Sequence, residues 1–245
     1  MLEQTKNKYN LDILMNVLDK KGYKIFTQKY IPNIIGVRDI QNIDCFDDVL
    51  ILFYFDENSQ PSYQEYSITT LPGMYYLKNP PNTEGTAVLK EGQYLDLYRL
   101  GIHKQAISKR INKIFYKYLL SIFLKPFERK IYLSNSFMAN KLEETINNLN
   151  SSHKALIQNI DEIPVYRENN RSGELKFEKN GFGTEINIHR ASYLGKAIKV
   201  GNYSAGCQVF ASRLEFDDFL EKIEKCTKKA GLVSIPYTLI NKKDL

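Results

Sequence analysis

Two short segments decide how this chain reads: Asn187-Ile-His189-Arg-Ala191 and, with fourteen residues between His189 and its first residue, Ser204-Ala-Gly206-Cys207-Gln-Val-Phe210. They hold one of the three histidines and one of the three cysteines in 245 residues. Glu185-Ile-Asn-Ile-His189 alternates polar and apolar side chains, the period of a strand, and delivers the histidine to the strand's end. Ser204-Ala-Gly-Cys207 is a run of small residues, hence a turn whose backbone amides lie open. A neutral thiol is a weak nucleophile. It needs an imidazole to take its proton, and oriented amides to receive the oxyanion that forms after attack. Gly206, without a Cβ, permits such an amide nest, so the backbone amides around Gly206 and Cys207 are the expected oxyanion donors. Cys207 and His189 are therefore a candidate nucleophile and base.

The spacing resembles a known signature. A histidine, fourteen to seventeen residues, then Ser/Thr-His-Gly-Cys marks the L,D-transpeptidase (YkuD-like) catalytic domain, a cysteine acyltransferase of bacterial peptidoglycan. His189, Ser204, Gly206 and Cys207 fit that pattern. Ala205 stands where the family has a second histidine, and Gln208-Val209 replaces an apolar residue followed by Asn or Arg. Upstream, Thr70-Leu-Pro72-Gly73-Met-Tyr75-Tyr-Leu77 is similar to the family's Thr-Pro-x-Gly-x-Tyr/Phe-x-Ile stretch, with Leu71 inserted. Gly85-Thr-Ala-Val-Leu89, Gly92-Gln-Tyr94, Leu100-Gly-Ile-His103 and Val165-Tyr-Arg-Glu-Asn-Asn170 further resemble phage and prophage members.

That resemblance implies an α+β fold: a mainly antiparallel β core of the L,D-transpeptidase type, with a helix after the catalytic cysteine. It implies acyl transfer on peptidoglycan stem peptides through a Cys207 thioester, ending in hydrolysis or in exchange onto an amine. The backbone carbonyl of Arg190 is expected to orient the His189 ring through Nδ1–H, leaving the Arg190 side chain for a substrate carboxylate. Ser204 either bonds within the turn or contacts substrate, and Tyr203 and Asn202 are pocket walls. His103, at a strand end, is a second imidazole that could replace the one lost at Ala205, or an ordinary loop residue. No cofactor and no metal are expected, since no close pair of ligands accompanies His189 and Cys207.

Composition supports a folded chain. Hydrophobic residues make up 43%, with 17 Tyr and 13 Phe to fill a core. Cys45, Cys207 and Cys226 are odd in number and widely spaced, which argues against a disulfide framework; Cys45 and Cys226 are expected in the core. The N-terminus lacks the apolar run of a secretory signal, and Tyr118 to Leu124 is too short to span a bilayer. A soluble, cytoplasmically made chain is expected, reaching a cell wall only if a virion or secretion system delivers it. Net charge is +6, and residues 104–154 carry ten Lys/Arg against three Glu. That surplus of seven leaves the rest of the chain near minus one.

The remaining segments are read by period and punctuation. Leu11, Leu14, Met15 and Leu18 have helical spacing before Gly22, giving an N-terminal helix. Val49-Leu-Ile-Leu-Phe-Tyr-Phe55 is apolar throughout, a strand buried on both faces. Pro72-Gly73 is a turn between two strand-like runs. Gly85–Tyr94 and Leu97–His103 read as two short strands. Residues 104–152 show apolar spacing of three and four with basic residues between, an inserted basic helical hairpin. Residues 1–103, 104–152 and 153–245 thus form the first part of the core, the insertion and the catalytic part. His153 is expected to be exposed in a polar linker.

Glu168-Asn-Asn-Arg-Ser-Gly173 has the outline of a calcium loop, but Arg171 and Lys179 spoil it, and a plain turn is expected. Ser212 with Glu215 reads as a capping box, and Gly231 closes that helix. Leu232 to Ile240 is a last strand. The basic hairpin is a solvated face, a surface for an anionic polymer or membrane, or a docking site for a partner protein; no motif for specific nucleic-acid reading accompanies it. Against the enzyme stands a second possibility, supported by Ala205 and Gln208: a catalytically idle copy of the fold in a virion or injection machine.

Overall fold

The computed structural model describes residues 8–103, 153–192 and 195–245. The expected hairpin at 104–152 lies outside them. Met1–Gly101 with Ala155–Leu245 form one compact unit and Ile102–Lys154 a second. Within the second, the rings of His103 and His153 meet edge to face at 5.6 Å. His153 begins a strand and is half-buried, not an exposed linker residue.

The protein is α+β. In chain order the elements are α1 (Leu11–Lys20), β1 (Asn33–Arg38), β2 (Asp48–Phe55), β3 (Pro61–Thr69), α2 (Met74–Lys78), β4 (Thr86–Leu89) and β5 (Gly92–His103), then β6 (His153–Gln158), β7 (Ile163–Glu168), β8 (Asn180–Gly183), β9 (Ile188–Arg190), β10 (Gln208–Phe210), α3 (Arg213–Ala230) and β11 (Ile235–Asn241). Eight strands close a barrel in the order β1-β11-β5-β6-β9-β10-β3-β2, and β4-β7-β8 form a separate antiparallel sheet. The barrel is mainly antiparallel, with parallel pairs β1·β11 and β9·β10. Closure removes open sheet edges.

β2 shows why its sequence is apolar throughout. Leu50, Leu52 and Tyr54 face one core, and Val49, Ile51 and Phe53 face another. The second core is capped by Leu14 and Leu18 of α1, whose Asn10 side chain accepts from the amides of Asp12 and Ile13. The first is filled by Phe216, Phe219, Leu220 and Ile223 of α3. Each such side chain contributes roughly 1.5–3 kcal/mol on burial. Phe210 of β10 lies 5.2 Å from Phe216 and 5.0 Å from Phe219, ring to ring, so α3 is seated on the strand that carries the cysteine turn.

Several local expectations are corrected. Met74–Lys78 is a helical turn, not a strand, because Gly73 starts it and Asp44 Oδ1 accepts from the Met74 amide at 3.0 Å. The two strands expected between Gly85 and His103 divide at Lys90-Glu91, and β5 runs unbroken for 12 residues. Ser212 caps α3 through the Glu215 amide. The Glu215 side chain reaches out to the Ser67 amide at 3.2 Å, so the capping box is half made. Gly231 does close α3, in the left-handed conformation. Cys226 is in the core, but Cys45 is exposed. Glu168 turns its carboxylate inward to the amides of Lys176 and Phe177, at 2.9 and 2.7 Å, so the 168–177 segment is a turn held by its own acid.

Candidate active site

β9 and β10 run parallel, with Val209 opposite His189 and Gln208 opposite Ile188. Side chains alternate along strands, and paired residues share a face. His189 therefore projects on the face of Asn187 and Val209, one pleat along from the cysteine turn, while Ile188 and Phe210 turn into the first core. His189 is buried, and its Nδ1 lies 2.9 Å from the Arg190 carbonyl oxygen. A carbonyl only accepts, so Nδ1 carries the proton and the lone pair of a neutral ring sits on Nε2. That is the contact expected of the Arg190 backbone. The Arg190 side chain is itself buried at 5% exposure, so it is not the free cation expected for a substrate carboxylate.

Cys207 keeps partial exposure at the mouth of its turn. Its Sγ donates to the Glu185 carbonyl and accepts from the Asn187 amide, both at 3.4 Å. Burial of the sulfur pushes the thiol up to about 11; the Asn187 amide opposes that shift and the negative charge of Glu185 adds to it. At rest the sulfur is a neutral thiol whose S–H donates to the Glu185 backbone carbonyl.

The turn is braced from inside. Ser204 is fully buried; its Oγ donates to the Cys207 carbonyl at 2.8 Å and accepts from the Gly206 amide at 3.2 Å. Of the two roles open to Ser204, the structure shows the one within the turn, and the Gly206 amide is occupied by Ser204 Oγ. The Cys207 amide has no hydrogen-bond partner among the described residues. Gly206 is a glycine by necessity: its φ is +133°, and a Cβ would fall 2.7 Å from the Ala87 carbonyl oxygen. Tyr203 is half-buried with its amide on the Val200 carbonyl at 2.9 Å. His103 belongs to the second unit, where burial lowers its pKa.

The Pro72-Gly73 loop packs on the same turn. The Gly73 amide donates to the Ser204 carbonyl at 2.9 Å, and a Cβ at Gly73 would lie 2.0 Å from the Gly201 carbonyl oxygen. Asp44 Oδ1 accepts from the Gly201 amide at 2.6 Å as well as from Met74, joining both loops.

Behind Thr70 lies a buried relay that the sequence did not announce. Arg38 Nε donates to Thr70 Oγ1 at 2.9 Å, and Thr70 O–H donates to Asp48 Oδ2 at 2.8 Å. Asp48 also accepts from the amides of Asp39 and Thr70, at 2.6 and 2.5 Å. Arg38 Nη1 reaches Glu91 at 2.9 Å. Burial raises the Asp48 carboxyl to about 6, with its amide and hydroxyl donors opposing that shift. The carboxylate is thus the prevailing form at neutral pH. The relay fixes the first residue of the loop that abuts the cysteine turn.

An open cleft lined by Glu84, Glu162, Arg167, Lys179 and Thr184 runs along the second sheet; Thr184 is next in sequence to Glu185, whose backbone carbonyl accepts the S–H hydrogen bond. No group of three His, Cys, Asp or Glu side chains suited to a metal occurs among the described residues. No helix among them is long and apolar enough to cross a membrane.

The fold and site together define an α+β barrel protein with a cysteine turn beside a strand-borne histidine. Comparison with protein-family models, curated proteins and solved structures gives no match.

Proposed function

We propose that this protein is a cysteine acyltransferase or peptidase of the L,D-transpeptidase kind, acting on the stem peptides of peptidoglycan. The observation that carries the reading is the pairing of β9 with β10. It sets His189, its Nδ1–H committed to the Arg190 carbonyl, on the same sheet face as Val209, two residues after Cys207. The packing of Gly73 on Ser204 adds support, since it joins the two stretches that resemble the family. In the proposed reaction His189 Nε2 takes the thiol proton as Sγ attacks a stem-peptide carbonyl. The carbonyl's electron pair moves to oxygen and returns to expel the amine, which leaves with the proton. Water or a second amine then cleaves the thioester. Delivery by a virion or a secretion system would bring the chain to the wall. Mass spectrometry of muropeptides, after incubation with wild type and with Cys207→Ala, tests this: altered stem peptides with wild type alone are expected.

One observation favours a second reading, a catalytically idle scaffold: the thiol is pushed up to about 11 and donates to a backbone carbonyl. Stem peptides left unchanged by both proteins would support that scaffold.

A further inference from the structure

Gln208 follows the cysteine and is fully buried, an expensive place for an amide without partners. Its Oε1 accepts from the Tyr237 hydroxyl at 3.1 Å, and its Nε2 donates to the Gly206 carbonyl at 3.4 Å. Exchanging the two ends of the amide would set its oxygen against the Gly206 oxygen, acceptor to acceptor, so the orientation is fixed. Tyr237 is held in turn. Its ring packs on Tyr98 at 5.5 Å, and its hydroxyl occupies the space over Gly36, where a Cβ would lie 2.1 Å away.

The Gly206 carbonyl and the Cys207 amide belong to one planar trans peptide and point in opposite directions. Holding the carbonyl toward buried Gln208 turns the Cys207 N–H the other way. That N–H has no partner among the described residues, while the Gly206 amide is spent on Ser204. We propose, on the acyl-transfer reading given above, that Gln208 and Tyr237 are positioning residues. They lock the Gly206–Cys207 peptide so that the Cys207 amide receives the oxyanion of an acyl group under attack by Sγ. The side chain that departs from the family's apolar residue is thereby given a task in the site.

Two reagents separate this from a structural role. Attack on p-nitrophenyl acetate forms the Sγ–C bond, places a negative charge on the former carbonyl oxygen and then expels p-nitrophenol. Iodoacetamide is displaced at a CH₂ with loss of iodide and builds no oxyanion. Modification of Cys207 by each is followed by peptide mass spectrometry in the full chain. Gln208→Leu and Tyr237→Phe are expected to slow acylation on the order of tenfold or more, since removing an oxyanion donor outright costs about 10²–10³. Alkylation should stay within about twofold. Tyr237→Phe keeps the ring in place, so it tests the proposal even where Gln208→Leu does not fold. Equal slowing of both reactions, or of neither, overturns it. Unchanged stem peptides together with the expected contrast would remove the peptidoglycan substrate and leave the positioning role standing.

Discussion

Cys207 should alkylate as a buried, protonated thiol and not as a stored thiolate. Burial raises it to about 11 from an ordinary 9.0. At pH 8 an ordinary thiol is ionised to roughly one part in ten and this one to about one part in a thousand, so iodoacetamide should react on the order of a hundredfold more slowly. The assay is the rate of Cys207 carbamidomethylation from pH 6 to 11, read by peptide mass spectrometry, with exposed Cys45 as the internal comparison. The rate should climb about tenfold per pH unit with no plateau below roughly pH 10. Acylation by an activated ester should begin at lower pH, because there His189 removes the proton during attack, and His189→Ala should slow it by about 10²–10⁴. An alkylation plateau with an inflection near 6 to 7 would refute the reasoning, since it marks a preformed thiolate–imidazolium pair.

Other perturbations probe the scaffold around the turn. Asp48→Ala leaves three buried donors without their acceptor, so chemical denaturation should show a loss on the order of 3 kcal/mol. The raised pKa of Asp48 sets a sign: below about pH 4 its protonated form favours the fold, and that stability is lost as pH rises through about 6. Asp48→Asn should flatten that part of the pH–stability curve, and an unchanged curve would contradict the assignment. Gly206→Ala meets both a positive φ and the Ala87 carbonyl, so melting should report a loss of roughly 1–3 kcal/mol together with loss of Cys207 acylation. Gly73→Ala should part the loop at 70–73 from the cysteine turn and lower the acylation rate with little effect on α3.

What could be read from the chain was what local pattern encodes. α1, β2, α3 and the last strand follow from spacing, an unbroken apolar run and cap residues. The alternation from Glu185 overran the histidine strand, which is Ile188–Arg190 with His189 in its middle, because Glu185 takes a left-handed φ of +57°. Met74–Lys78 defeated the same logic: four aromatic and apolar residues followed by a lysine have no decisive period, and the Asp44 carboxylate that receives the helix's first amide lies 30 residues upstream. Nothing in the sequence marked Arg38 as buried, because its partners, Thr70, Leu89 and Glu91, meet it only when the barrel closes. The site divides similarly. Spacing in the sequence pointed to His189, Cys207 and the Arg190 carbonyl. Which amide stays open in the turn depends on where Ser204 Oγ rotates, and the use made of Gln208 depends on Tyr237, 29 residues further on.

Whether Cys207 and His189 work as one acyl-transferring pair is tested most directly by trapping the covalent intermediate. The protein is mixed with stem tetrapeptides, quenched in acid, and Cys207 is examined by intact-protein and peptide mass spectrometry. A stem-peptide thioester on Cys207 in wild type is expected, forming at least about a hundredfold more slowly in His189→Ala. A Cys207 that stays free in wild type, or an adduct that forms as fast without His189, would contradict the account.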